Sequence, residues 1–434
     1  MRTLCFVPLA FGVLCGATTT RADAQGTLAD RVADVRNGVA HLQFESRAGT
    51  CGDGRTLVGY RNATFARDFS SFGRSIGRHC APGPVRVALT VAGGEVTQLQ
   101  TQVSGAWSAT SGRVVDLGVA TPAEASSYFF SLVPRLESAS GKDRLLIPAV
   151  LADDAVPIAA LLALARNGTR LESTRRQAVQ WLGLLGDASV VPALVTFARD
   201  ADGEGDGDKP GKKGLASSAA AALSSLEANA GVPALIELAR RAPRATRRNA
   251  VFWLGQNGDP RGLRTLHTVI EDSREDDRVR THAIFSLGNN DELPSAERDY
   301  LRSVYIRLES DGLKESVLQA MSGDDAGGGK WLIERARDAR EPIKLRKSAL
   351  FWAGQREATS IADLVAVYRD AGDTNLREHA IFVLSQRQDD ASVDALMRIA
   401  RSDTDTHMRA KALFWLAQRH DPRVTRLISD MVLK

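Results

Sequence analysis

The sequence predicts a mainly α protein: an α-solenoid of about nine helix pairs, preceded by a small α+β or β domain. Three observations predict it. The segment 409–418, which opens on Arg409 and closes on Gln418, recurs over 247–256, 346–355 and 377–386. Aligned on the small residue that opens its apolar run, the pattern returns at Ala178, Ala219, Ala250, Ala283, Val317, Ala349, Ala380 and Ala412, at intervals of 41, 31, 33, 34, 32, 31 and 32 residues. A period just above thirty is that of stacked helix pairs. Residues 25–118 instead hold short runs of alternating apolar and polar residues, the period of strands.

In chain order, residues 1–24 combine Arg2, an apolar run over 4–14 and an Ala22-Asp23-Ala24 ending, which reads as a secretory signal cleaved before Gln25. The expected location is periplasmic or secreted. The apolar run is shorter than the roughly 18–20 residues that a membrane span takes, and Leu14 ahead of Cys15 fits lipoprotein processing poorly. Cys51 and Cys80 are the two cysteines left after cleavage, and an oxidising compartment favours their pairing. They stand in the small disulfide-bonded domain expected over 25–118, where 39–44 reads as a strand and 85–91 with 96–103 as a hairpin around Gly93 and Gly94. The loop from Cys51 to Cys80 is polar and Arg-rich and shows no pattern of its own. Residues 119–141 are expected to form a capping helix and linker. Thr121 and Glu124 make a capping box with Pro122 at the first helical position, opening a helix through Leu132.

The solenoid is expected over 142–434. In each repeat the opening residue and those three, four and seven further on, as in Ala178, Trp181, Leu182 and Leu185, make one apolar stripe, helix A. Neighbouring positions are apolar too. Helix A is therefore expected to be buried on most faces, with Phe252, Phe285, Phe351, Phe382 and Phe414 in the core. Small residues at Gly183, Gly255, Gly288, Gly354, Ser385 and Ala417 would let helices approach closely there. A turn carrying Asp187, Asp259 or Asp421 leads to a second amphipathic run, helix B, in which Pro192 and Pro233 suit the first turn. A degenerate ninth unit comes first, with a weak helix over 144–151 and a second over 158–166. The single long interval holds 200–214, whose acids mimic a calcium loop but place Gly211 where the ligating Glu belongs. That segment reads as a solvated linker.

These residues resemble HEAT repeats, and the short bacterial form also found in phycobilisome-lyase-type proteins, over 144–434. The resemblance implies the solenoid, an Arg–Asp ladder between repeats and B helices on a concave side. It implies no lyase activity here, because no lyase catalytic motif falls on the chain.

Two basic series recur. Arg175, Arg247, Arg280, Arg346, Arg377 and Arg409, with Lys314, stand three positions before the alignment residue. A positive charge at a helix N-terminus opposes the macrodipole, so each needs a partner. Acids such as Asp276, Asp277, Asp373 and Asp405 are expected to supply it, making a structural ladder. Arg199, Arg240, Arg307, Arg337, Arg369 and Arg401 end helix B. There they complement the last carbonyls or line a groove for a protein or extended peptide, one that would attract acidic partners. The recurrent Gln256, Gln355, Gln386 and Gln418 are expected to bond turn backbone.

A net charge of +4 over 434 residues is no nucleic-acid signature. No His-Glu-x-x-His, Cys/His cluster, Gly-x-Ser-x-Gly or phosphate loop appears. No catalytic, cofactor or metal residue is assigned, and 327–330 reads as a flexible turn. The expected function is an exported, non-enzymatic scaffold for protein–protein interaction in the cell envelope, without a membrane span. The alternative is an enzyme or ligand carrier, lyase-like, with a site between the N-terminal domain and the solenoid.

Overall fold

The computed structural model describes residues 26–55, 57–61, 63–66, 69–72, 80–108, 110, 112–138, 145–154, 157–199, 214–290, 292–323, 327–419 and 421–432. The expected signal, its cleavage point at Gln25 and the calcium-like segment 200–213 lie outside the described residues. The chain divides into two compact units, Met1–Ala178 and Val179–Lys434.

Among the described residues the first unit holds α1 (Leu28–Ala33) and eight strands: β1 (Asn37–Phe44), β2 (Thr50–Gly52), β3 (Val58–Tyr60), β4 (Ala63–Ala66), β5 (Phe69–Phe72), β6 (Val85–Ala92), β7 (Glu95–Val103) and β8 (Val114–Val119). One sheet has the order β7-β6-β1-β8. The predicted hairpin is β6 and β7, with Gly93 and Gly94 both at positive φ in the turn. β8 joins β1 in parallel. Alternation sends Ala40, Leu42, Phe44, Val85, Val87 and Leu89 to one buried face, where α2 (Pro122–Leu136) brings the ring of Phe129 to 5.9 Å from that of Phe44. On the other face His41 stacks on Trp107 at 4.0 Å, and burial pushes its pKa down.

Two expectations are corrected in this unit. Thr121 caps α2 by accepting from the Glu124 N–H, but Glu124 turns away to Arg31 at 3.1 Å instead of closing the box, and the helix continues to Leu136. The Cys51–Cys80 loop is not without structure. It forms an antiparallel sheet of order β2-β3-β4-β5, whose strands are too short to show a period in sequence. The sulfurs of Cys51 and Cys80 lie 2.06 Å apart, beside a two-way backbone pairing of Gly52 with Ala81. The expected ninth pair also begins here, as a single turn α3 (Ile147–Val150) and α4 (Ile158–Arg166).

Among the described residues eight helix pairs follow. They are α5/α6 (Glu172–Leu185, Val191–Arg199), α7/α8 (Leu215–Ser225, Val232–Arg241), α9/α10 (Arg244–Asn257, Pro260–Glu271), α11/α12 (Asp277–Gly288, Ser295–Tyr305), α13/α14 (Asp311–Ala320, Gly328–Arg337), α15/α16 (Ile343–Gly354, Ile361–Asp370), α17/α18 (Thr374–Gln386, Asp390–Ser402) and α19/α20 (Thr406–Ala417, Pro422–Val432). Turn aspartates Asp187, Asp259, Asp389 and Asp421 each accept a backbone N–H of the following helical turn at 2.8 Å. Residues 328–330, expected in a flexible turn, instead open α14.

In the second unit the first helices of successive repeats pack directly on one another. The small-residue position sets their spacing. A Cβ on Gly183 would stand 2.5 Å from the Cα of Ala222, and one on Gly255 would stand 2.5 Å from the Cβ of Ser286. Gly288 against Ala320 and Gly354 against Val383 repeat the relation. The residue five positions past the alignment point in one repeat meets the residue three past it in the next.

Candidate interaction surface

The basic series ahead of helix A finds its partner mainly in the preceding helix B. Arg175, Arg280 and Arg346 each donate Nε–H to a carbonyl in the last turn of that helix, those of Ala165 (2.9 Å), Ile270 (3.0 Å) and Ala336 (3.0 Å). Arg247 and Arg409 reach the carbonyls of Ala242 and Asp403, both at 2.8 Å. Arg377 donates to the Tyr368 hydroxyl at 3.0 Å, and Lys314 lies 5.5 Å over the Tyr305 ring. A cation at the start of helix A thus rests against the carbonyl end of helix B, where the macrodipole favours it. Acids take part in some repeats. Arg247 pairs with Glu275 at 2.8 Å, Arg280 with Asp277 of its own helix at 3.0 Å, and Arg377 with Asp403 at 2.9 Å and Asp405 at 3.5 Å.

A second ladder escaped the sequence reading. The residue seven past the alignment point donates to the carbonyl of the residue five past it in the repeat before. Asn257 bonds Ser224 at 2.8 Å, Asn290 bonds Gly255 at 2.9 Å, Arg387 bonds Gly354 at 3.4 Å and Arg419 bonds Ser385 at 2.6 Å. Arg356 makes the same bond to Ser322. Each fills a carbonyl that the end of a helix leaves without an intrahelical donor. The signal was an Asn or Arg directly after the recurrent Gln or Asn. Gln386 itself bonds the Ser385 hydroxyl rather than turn backbone.

The arginines that end helix B do not form one bare basic row. Arg307 binds Glu271 at 2.8 Å, Arg337 binds Asp370 at 2.6 Å and Arg369 binds the same Asp370 at 3.0 Å. Arg199 and Arg401 are exposed. Arg240 lines a hollow of about 310 Å³ with Ile236, Arg261, Arg264, Thr265 and Thr268. Close by, His267 stacks on Tyr300 at 3.6 Å and bonds Glu297 at 2.6 Å, so that part of the helix B surface is tied down internally.

Helix A, expected to be buried on most faces, presents a surface. Phe414 is 58% and Phe285 40% exposed, and Phe252, Phe351 and Phe382 are half-buried. The reason is the helical period. At about 100° per residue, a position two past the alignment point lies about 200° round from it. The close neighbours of helix A cover the alignment residue and leave the Phe outside. Phe252, Phe351 and Phe414 stand edge-on to Trp253, Trp352 and Trp415, with centroids 5.1–5.3 Å apart. Phe382 reaches Trp415 of the next repeat at 5.4 Å. The aromatic series thus covers two neighbouring repeats at Phe252 and Phe285 and three at Phe351, Phe382 and Phe414, with exposed Gln319 at the same position of α13 between them.

Tight helix pairs, capped turns and a carbonyl ladder at one period define a repeat protein of stacked helix pairs. Residues 218–322 match the family described as HEAT repeats, and 174–200 match the PBS lyase HEAT-like repeat; the N-terminal part matches no recognised family. No curated protein matches the chain. Among solved structures, the complex of CpcE and CpcF of phycocyanin lyase from Nostoc sp. is 19% identical, with 56% of this chain and 93% of that one covered and a TM-score of 0.28. Human deoxyhypusine hydroxylase in complex with glycerol is 20% identical, with 58% and 97% covered and a TM-score of 0.25. An engineered protein is 16% identical, with 59% and 94% covered and a TM-score of 0.24. None of the three is similar enough to say what this chain does.

Proposed function

We propose that the repeats are a non-enzymatic docking scaffold for another polypeptide, carried by an exported protein. The observation that carries this reading is the aromatic stripe, with Phe285 and Phe414 well exposed and three more Phe half-buried. Phe, Tyr and Trp dominate interface energetics, and apolar side chains exposed on consecutive repeats are the kind of surface that marks interaction sites. Neighbouring packed helices lie about 8–10 Å apart, so the partner this stripe suits is a segment presenting apolar side chains at that interval. Export rests on the signal-like residues 1–24 and on Cys51 and Cys80 as the two cysteines left after cleavage, since disulfides persist in oxidising compartments. The test is a photo-crosslinking residue in place of Phe285 or Phe414 in the native cells. A discrete adduct with one polypeptide is expected from both positions; no adduct from either overturns the reading.

A further inference from the structure

The hollow between α8 and α10 has an unusual wall. Arg261, Arg264, Thr265 and Thr268 are spaced at i, i+3, i+4 and i+7 and share one face of α10, while Ile236 and Arg240, one turn apart, close the hollow from α8. The threonine hydroxyl protons are already used, Thr265 donating to the Arg261 carbonyl and Thr268 to that of Arg264, each at 3.0 Å. The donors left for an occupant are guanidinium N–H groups, which accept nothing.

Charge sharpens this. Arg261 is clamped by Asp259 through Nε at 3.0 Å and Nη2 at 2.9 Å. Asp259 is only 9% exposed and also accepts from Asn229 at 3.1 Å. The Arg261 hydrogen bonds hold the Asp259 carboxyl down at about 2, so this pair is neutral overall at ordinary pH. Among the described residues no acid pairs with Arg240 or Arg264. Glu237, the acid on α8 nearest in sequence, is engaged by Arg241 at 2.9 Å. Two positive charges remain, and Ile236 adds an apolar group to the same lining.

We propose that this hollow binds adjacent carboxylate side chains of an acidic polypeptide segment. Guanidinium forks match carboxylates two-point. The volume of about 310 Å³ is many times the space one water needs, more than one tetrahedral ion fills and enough for two short acidic side chains. The site stands on different residues from the aromatic stripe and does not depend on the stripe binding anything.

The experiment is calorimetric titration of the full chain, at low ionic strength, with a short oligoglutamate peptide and separately with inorganic phosphate. The peptide is expected to bind more tightly than phosphate and to weaken with added salt. The double variant Arg240→Gln, Arg264→Gln is expected to lose about tenfold or more in peptide affinity, with an unchanged melting temperature because both side chains are exposed. Arg199→Gln, an exposed arginine outside the hollow, keeps wild-type affinity. Equal binding by the double variant, no binding by the wild type, or phosphate binding as tight as the peptide overturns the proposal.

Discussion

Nη2 of Arg419 donates to the carbonyl of Ser385 at 2.6 Å, joining the turn of the last repeat to the end of the first helix in the repeat before. The same guanidinium nitrogen also reaches the carbonyl of Arg387, and Arg387 in turn reaches those of Gly354 and Arg356. The stability of a repeat stack is roughly a sum of repeat and neighbour terms. A bond repeated at five junctions, those of Asn257, Asn290, Arg356, Arg387 and Arg419, therefore helps to set register there.

Arg387→Ala is expected to lower stability by about 1–3 kcal/mol, because Nη1 alone contacts the carbonyls of Gly354, Arg356 and Thr359 at 3.4, 2.6 and 3.3 Å. Lysine should not restore it, since an ammonium cannot hold the planar fork. Urea midpoints decide; an unchanged midpoint for the alanine variant removes the ladder as a stabilising feature.

Arg377→Ala should cost more than Arg346→Ala, whose guanidinium holds the Ala336 carbonyl at 3.0 Å. Removing Arg377 leaves Asp403, with 12% of its side chain exposed, without its two-oxygen partner. Burial pushes the Asp403 carboxyl up, but bonds from Tyr368, the Asp405 N–H and Arg377 outweigh this and hold it below its ordinary 3.8. A depressed carboxylate stabilises the fold above its unfolded value and stops doing so as pH falls through the folded value. The stability gap between wild type and Asp403→Asn should thus be flat at neutral pH and shrink only below 3.8. A gap that closes on the alkaline side instead would contradict the pairing.

Intact mass of material from the native cells should show Cys51 joined to Cys80, with the chain starting at Gln25, and a two-hydrogen gain on reduction. Their separation of 29 residues makes the bond worth about 3–4 kcal/mol in the loop-entropy account. Reduction should lower the melting temperature of the first unit; two free thiols in the native material would refute both the pairing and the export reading.

Phe285→Ser and Phe414→Ser should change stability by no more than about 0.5 kcal/mol, given their exposure of 40% and 58%. Leu254→Ala, two residues beyond Phe252 and fully buried, should cost about 2–5 kcal/mol. Gly183→Ala should cost about 1–3 kcal/mol, since its new methyl meets the Ala222 backbone. Thermal unfolding of the four variants tests the set, and a large loss from Phe414→Ser would return the Phe series to the core.

What the sequence by itself determined is local and periodic. The repeat interval, the helix pairs, the Asp-bearing turns between them, the Gly93-Gly94 hairpin and the close-approach position at Gly183, Gly255 and Gly288 all follow from patterns within a few residues, because helix period and turn chemistry act at that range. Only the tertiary structure decided which side of each helix is covered. The period places Phe285 about 200° from Ala283 but does not say which neighbour lies at that angle. It decided likewise that Arg346 turns to a carbonyl while Arg377 turns to an acid, that β8 runs beside β1, and that Arg240 meets Arg261 and Arg264 across a hollow. Each of those pairings joins residues distant in sequence or competing for several partners. The winner is set by the positions of packed backbones, which no single stretch of chain encodes.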